Sequence, residues 1–122
     1  MRTALLLIAH GSRKDEANAD LYHVMAEMRG RGGYEPIEAS FLELAEPGID
    51  EGGARCVGQG AARVVLVPYF LSAGVHVRRD LAEARRRLAE AFPAVEFRLA
   101  EPLGRHPLLL DVVEERVREA TA

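Results

Sequence analysis

Ala4-Leu5-Leu6-Leu7-Ile8-Ala9 is an unbroken apolar run that stops at His10-Gly11-Ser12-Arg13. A strand buried on both faces has this pattern, because no position is left for water. Val64-Val65-Leu66-Val67 is a second run of the same kind. By contrast, Ile37-Glu38-Ala39-Ser40-Phe41 and Val95-Glu96-Phe97-Arg98-Leu99 alternate, which marks outer strands with one face less covered. The run at residues 4–9 is far too short to span a bilayer. It also lacks the basic flank and cleavage site of a secretory leader, so no membrane contact and a cytoplasmic location are expected.

Helical stretches separate the strands. Ser12 and Asp15 form a plausible capping box, and Ala17, Leu21, Val24 and Met28 keep one apolar face until Gly30, Gly32 and Gly33. Leu81, Ala84, Leu88 and Ala91 make another stripe, closed by Pro93, with Glu83 and Arg87 spaced to pair on its outer side. Leu109, Val113, Val117 and Ala120 make the last one, with Pro107 in its first turn. Residues 47–59 are the weak helix, since Gly48, Gly52, Gly53 and Gly58 each cost up to about 1 kcal/mol against alanine. Alternation of strand and helix four times over implies a parallel sheet with right-handed crossovers. With the first and third strands central, the expected fold is a flavodoxin-like α/β sheet of order 2-1-3-4 with helices on both faces. Residues 1–122 are read as one domain.

Of the 122 residues, 48% are apolar and 29% charged, a balance typical of globular chains. Sixteen Lys+Arg against nineteen Asp+Glu give a net charge of −3, which argues against nucleic-acid binding. Cys56 is the only cysteine, so an internal disulfide and cysteine-rich zinc or iron–sulfur sites are excluded within one chain. Asn18 and Gln59 are the only side-chain amides, and Lys14 is the only lysine.

Open α/β sheets bind ligands beyond the carboxyl ends of their strands, near the point where strand order reverses. Four segments meet there: His10 to Arg13, Phe41 to Leu44, Pro68 to His76, and Glu101 to His106. They bring His10, His76 and His106 to one edge together with Glu43 and Glu101, whereas His23 lies mid-helix. A strand-end histidine such as His10 can serve only to hydrogen-bond a neighbouring loop. With His76 across the switch point, the two imidazoles and the Glu43 carboxylate instead suit a borderline divalent ion such as Co²⁺, Fe²⁺ or Ni²⁺. The same groups accept protons near neutral pH. His106 is expected to cap the last helix, and Cys56 to be small packing. Neither G-x-G-x-x-G nor G-x-x-x-x-G-K-[ST] follows the first strand, and no G-x-S-x-G elbow is present. No organic cofactor is expected.

LLLIAHGSR, SFLELAEP, VPYFLSAGVHVRRD and AEPLGRHPLLLDVV, in this order, resemble the sirohydrochlorin chelatases. These are class II chelatases of cobalamin and sirohaem biosynthesis, and the likeness is to the short CbiX-type cobaltochelatases. It runs from Leu5 to about Arg116 and implies one half of the class II chelatase fold. It also implies an enzyme that inserts a divalent metal, cobalt first and iron or nickel next, into sirohydrochlorin. His10 and His76 would bind the metal and take the pyrrole protons, and Glu43 would assist delivery or proton removal.

The flat macrocycle needs an apolar slot, for which Phe41, Phe70, Leu71, Val75 and Leu103 are placed, and Ser72 of the same loop is also expected to bind the substrate. Its carboxylates need cations, for which Arg13, Arg78, Arg79 and Arg105 stand in the right loops. Longer relatives carry two such halves, so a homodimer is implied, the second copy supplying the other wall of the cleft. Two other readings compete: a non-enzymatic tetrapyrrole or metal carrier using the same cleft, and a flavodoxin-like phosphate or nucleotide module.

Overall fold

A computed structural model describes all 122 residues. Eight elements alternate: β1 (Thr3–Ala9), α1 (Asp15–Arg31), β2 (Ile37–Phe41), α2 (Ile49–Gly58), β3 (Arg63–Pro68), α3 (Val75–Ala91), β4 (Glu96–Leu99) and α4 (Pro107–Thr121). The strands form one parallel sheet in the order β2-β1-β3-β4, as the apolar pattern predicts. Leu5 stands opposite Ile37 on one side and Val65 on the other.

Alternate residues of β1 feed two cores. Ala4, Leu6 and Ile8 join Val64, Leu66 and Phe97 beneath α2 and α3, with Cys56, Leu81, Ala84 and Leu88. Leu5 and Leu7 join Ile37, Ala39 and Phe41 beneath α1, against Leu21. Both faces of β1 are therefore dry, which is why its run has no polar break. β3 differs from the expectation. Val64 and Leu66 are fully buried, but Val65 and Val67 on the α1 side are only partly covered. The reason is that α1 lies over β1 and β2 and leaves that side of β3 and β4 without a helix.

The glycine-rich α2 forms despite its low propensity, because two of its glycines mark points of contact. A Cβ on Gly52 would lie 2.7 Å from Leu6 Cδ1 and 3.1 Å from Ser40 Cβ. One on Gly53 would lie 2.5 Å from Leu88 Cδ2. Tight packing onto β1 and α3 thus offsets the entropy that glycine loses in a helix. On α3, Glu83 pairs with Arg86 at 2.7 Å rather than with Arg87, which reaches across to Asp50 of α2 at 3.3 Å. The hydrogen bond from Arg86 holds the Glu83 carboxyl below its ordinary range. Such exposed pairs add little stability.

α4 is the exception to the layered packing. None of its residues is buried, and Leu108, Leu110, Val112, Val113 and Val117 are 51–67% exposed. No helix of the protein is long and apolar enough to cross a membrane.

Packing at α2 separates two glycine substitutions. Gly58→Ala meets no atom within 4 Å, so it should raise the thermal midpoint through the gain of up to about 1 kcal/mol in helix propensity. Gly52→Ala should lower it, because overpacking of about 1–3 kcal/mol outweighs that gain. Differential scanning calorimetry distinguishes the two, and equal shifts would contradict the packing argument. Burial pushes the Cys56 thiol up to about 12 from 9.0, with a smaller push from Glu38. The native protein keeps that proton while the unfolded chain loses it. Stability carried by this group is therefore intact below about pH 9 and lost as pH rises toward 12. At pH 8 a thiol-specific chromophoric reagent should modify Cys56 only after denaturation.

Candidate functional site

β1 ends at Ala9, and the backbone on both sides grips the residue that follows. Leu42 N–H donates to Ala9 O at 3.0 Å and Glu43 N–H to His10 O at 3.1 Å, extending the β1–β2 pairing. On the other side Tyr69 N–H donates to Ile8 O at 2.7 Å. Gly11 has φ +96°, and a Cβ there would collide with the Glu43 carbonyl. Only glycine permits this turn together with the close approach of the two loops. The His10 ring, left exposed, lies 5.0 Å from Phe70 at a 40° tilt.

The expected capping box at Ser12 and Asp15 does not form. α1 begins at Asp15 with Lys14 as N-cap and no side-chain cap. Instead the Asn18 amide clasps the loop from one turn inside the helix. Ser12 N–H donates to Asn18 Oδ1 at 2.9 Å, and Asn18 Nδ2 donates to Ser12 O at 2.8 Å. A carboxylate has no donor for the second bond, so the amide is required for both. Asn18 was missed in the sequence, although its rarity as one of two amides was a usable signal.

His10 and Glu43 line the same cavity, of about 590 Å³, between α2 and α3. Asp50, Glu51, Asp80 and Glu83 surround it, and its one guanidinium, Arg87, is already tied to Asp50. The cavity is therefore electronegative and attracts cations. A larger space of about 760 Å³ lies at the opposite end of the sheet, by Arg2, Arg29 and Tyr34, and contains no histidine. Chemistry favours the smaller cavity.

His76 is the second residue of α3 and is exposed, outside the His10 cavity. Arg79 Nη2 stands 3.0 Å from its Nδ1. A guanidinium only donates, so Nδ1 is the acceptor and the neutral ring carries its proton on Nε2. Arg78 pairs with Glu101 at 3.1 Å and also donates to Ala73 O at 3.3 Å. Arg13 and Arg105 are exposed and form no ion pair. Leu71 and Val75 are 68% and 79% exposed, Ser72 is exposed, and Phe70 and Leu103 are partly buried. Phe41 is the exception among the expected slot residues. It is 1% exposed in the core beneath α1, so it supports the site without lining it.

Leu103 N–H donates to Phe70 O at 3.0 Å, which ties the last loop to the third. His106 caps α4 as expected, accepting from Leu108 N–H at 3.1 Å. Leu44 and Arg105, with φ of 62° and 65°, both lie in loops at this end, where backbone strain concentrates. Within one chain, no three His, Cys, Asp or Glu side chains converge on a point suited to a metal ion.

A parallel 2-1-3-4 sheet with an exposed strand-end histidine and a carboxylate in one cavity at its carboxyl edge defines an open α/β protein whose candidate site lies at the strand-order switch. Within that class the CbiX family model matches residues 4–120, and the chain belongs to the CbiX family. It is 38% identical over 114 residues to the chloroplastic sirohydrochlorin ferrochelatase of Arabidopsis thaliana, covering 93% of this chain and 51% of that protein. It superposes on a CbiX protein from Marinobacter aquaeolei VT8 with a TM-score of 0.80 at 34% identity, covering 98% and 97% of the two chains. The sirohydrochlorin chelatase SirB from Bacillus subtilis subspecies spizizenii, in complex with cobalt, matches with a TM-score of 0.87 at 30% identity, covering 98% and 51%. The chain spans 38–51% of the length of four curated chelatases it matches.

Removal of the loop clasp gives a direct check. Asn18→Ala should destabilise the fold by about 1–2 kcal/mol, the net worth of two hydrogen bonds, measured by urea denaturation. Asn18→Asp keeps the acceptor alone and should recover only part of the loss. A wild-type midpoint in Asn18→Ala would show that the clasp is not formed in solution.

Proposed function

We propose that this protein is a sirohydrochlorin chelatase that inserts a divalent metal into the macrocycle, with Co²⁺ as the leading ion and Fe²⁺ or Ni²⁺ as further candidates. The observation that carries the reading is the shared cavity of His10 and Glu43 at the strand-order switch, in a chain of the CbiX family. Imidazole and carboxylate are ligands that these ions accept. Insertion requires that the metal shed water and that two pyrrole N–H protons leave. His10 and His76 serve as ligand and base, and Glu43 delivers the ion or receives a proton.

The two substrates approach from different sides. The electronegative cavity draws in the cation and repels a polycarboxylate. The macrocycle lies instead against Phe70, Leu71, Ser72, Val75 and Leu103, with Arg13 and Arg105 free to meet its carboxylates. Arg78 and Arg79 exchange their present partners for carboxylates of the substrate. For Arg79 this exchange releases His76 Nδ1, so macrocycle binding uncovers a ligand atom. A second copy of the chain supplies the opposite wall of the cleft. The single buried thiol suits a reducing compartment, and we assign the protein to the cytoplasm.

An anaerobic absorbance assay with sirohydrochlorin and Co²⁺ tests the proposal. The wild type should form many products per protein, and His10→Ala and His76→Ala should each lose at least about 100-fold in rate, as loss of a general base does. A spectral change that saturates at one equivalent would identify a carrier instead. No change at all would overturn both readings.

A further inference from the structure

We infer that Arg79 conceals His76 from metal ions until a carboxylate of the macrocycle draws it away, so that the macrocycle binds before His76 becomes a ligand. The inference rests on the chelatase reading above and adds an order of events to it. A neutral imidazole can offer a metal either of its two nitrogens, and here a single contact closes both. Arg79 Nη2 stands 3.0 Å from His76 Nδ1, which accepts from it and is occupied. The proton then sits on Nε2, which has no lone pair left for a metal. Moving that proton to Nδ1 would set two donors against each other. The second nitrogen therefore opens only when the guanidinium leaves.

The neighbouring arginine shows why this contact is the one that yields. Arg78 pairs with the Glu101 carboxylate at 3.1 Å and also donates to Ala73 O. Arg79 has no carboxylate partner, and its one side-chain hydrogen bond is to the His76 ring. Bonds from a guanidinium to a carboxylate are bidentate and roughly twice as strong as those to a neutral acceptor. A substrate that carries carboxylates therefore outcompetes the ring for Arg79, whereas Arg78 must first give up Glu101. His76 and Arg79 are both exposed at the start of α3, so the exchange is open to solvent.

Concealment matters because of what stands beside it. Val77, the next residue, and Asp80, one turn further along α3, line the cavity that holds His10 and Glu43. Cations gather in that electronegative cavity, yet no three donors converge on a metal ion in the free chain. With His76 closed, an ion at His10 and Glu43 stays weakly held and exchangeable. Arrival of the macrocycle removes Arg79 and frees a further donor at the moment when the destination of the metal is in place. Tight metal binding and substrate binding then coincide, and the free protein does not retain the ion.

Calorimetric titration of the free protein with Co²⁺ tests the concealment through a double-mutant cycle. Arg79→Ala should bind Co²⁺ about fivefold tighter than the wild type, the worth of one hydrogen bond, while raising the KM for sirohydrochlorin. His76→Ala should cancel that gain, yet change little when Arg79 is present. Arg78→Ala removes a neighbouring charge without freeing the ring, and should give no such gain. Imidazole ¹⁵N shifts report the tautomer at about pH 8, where the ring is neutral. The wild type should show His76 with its proton fixed on Nε2, and saturating metal-free sirohydrochlorin should abolish that pattern. A gain that is missing, that survives His76→Ala or that Arg78→Ala reproduces would overturn the concealment, as would failure of every variant to bind Co²⁺. A fixed tautomer that persists at saturating sirohydrochlorin would overturn the order of binding. In each of these cases, turnover by the wild type leaves the chelatase reading in place. Absence of turnover, with His76 still released by sirohydrochlorin, would overturn that reading alone.

Discussion

Parallel pairing of β1 with both β2 and β3 is the constraint from which the rest follows. Parallel neighbours cannot be joined by tight turns, so each connection crosses the sheet as a helix. Starting from a central strand, the chain moves first to β2 and then back past β1 to β3. Right-handed crossovers then place α1 on one face and α2 with α3 on the other. The loops that leave β1 and β3 part at the carboxyl edge, and His10 stands at the opening. Gly11 and the Leu42 and Glu43 amides hold it there without using its side chain, which remains free for ligands.

That division between backbone support and free side chains recurs around the edge. Asn18 holds Ser12 by its backbone groups, and Leu103 holds Phe70 in the same way. The groups with the most useful chemistry are exposed: His10, Glu43, His76, Arg13 and Arg105. One chain therefore presents a prepared surface rather than a closed ligand cage, consistent with the lack of a three-donor cluster. A flat macrocycle needs two walls, and the proposed dimer provides the second.

Much of this was legible in the sequence because it rests on local rules. Residues 4–9 and 64–67 announced the central strands, and their order followed from which runs lacked polar breaks. His10, Glu43 and His76 were singled out because strand ends are where such a sheet exposes side chains, and the structure brings only His10 and Glu43 into one cavity. What escaped depended on partners distant in the chain. The glycines of α2 looked like weakness until Leu6, Ser40 and Leu88 were seen pressed against them. The Ser12–Asp15 pattern suggested a cap, but a better bond from Asn18 captured the serine backbone instead. Phe41, read as a slot residue, points into the α1 core because strand alternation puts it with Ala39 and Ile37. The stripe on α4 announced an apolar contact, yet no residue of that helix is buried in the chain.

Anomalous diffraction at the cobalt edge, from crystals soaked in Co²⁺, locates the metal directly. The predicted peak lies within about 2.0–2.2 Å of a His10 ring nitrogen, the usual metal–imidazole distance, with His76 or Glu43 completing the contact. A cobalt ion held only by Asp50, Glu51 or Asp80, with the His10 ring unligated, would contradict the assignment of this edge as the chelatase site.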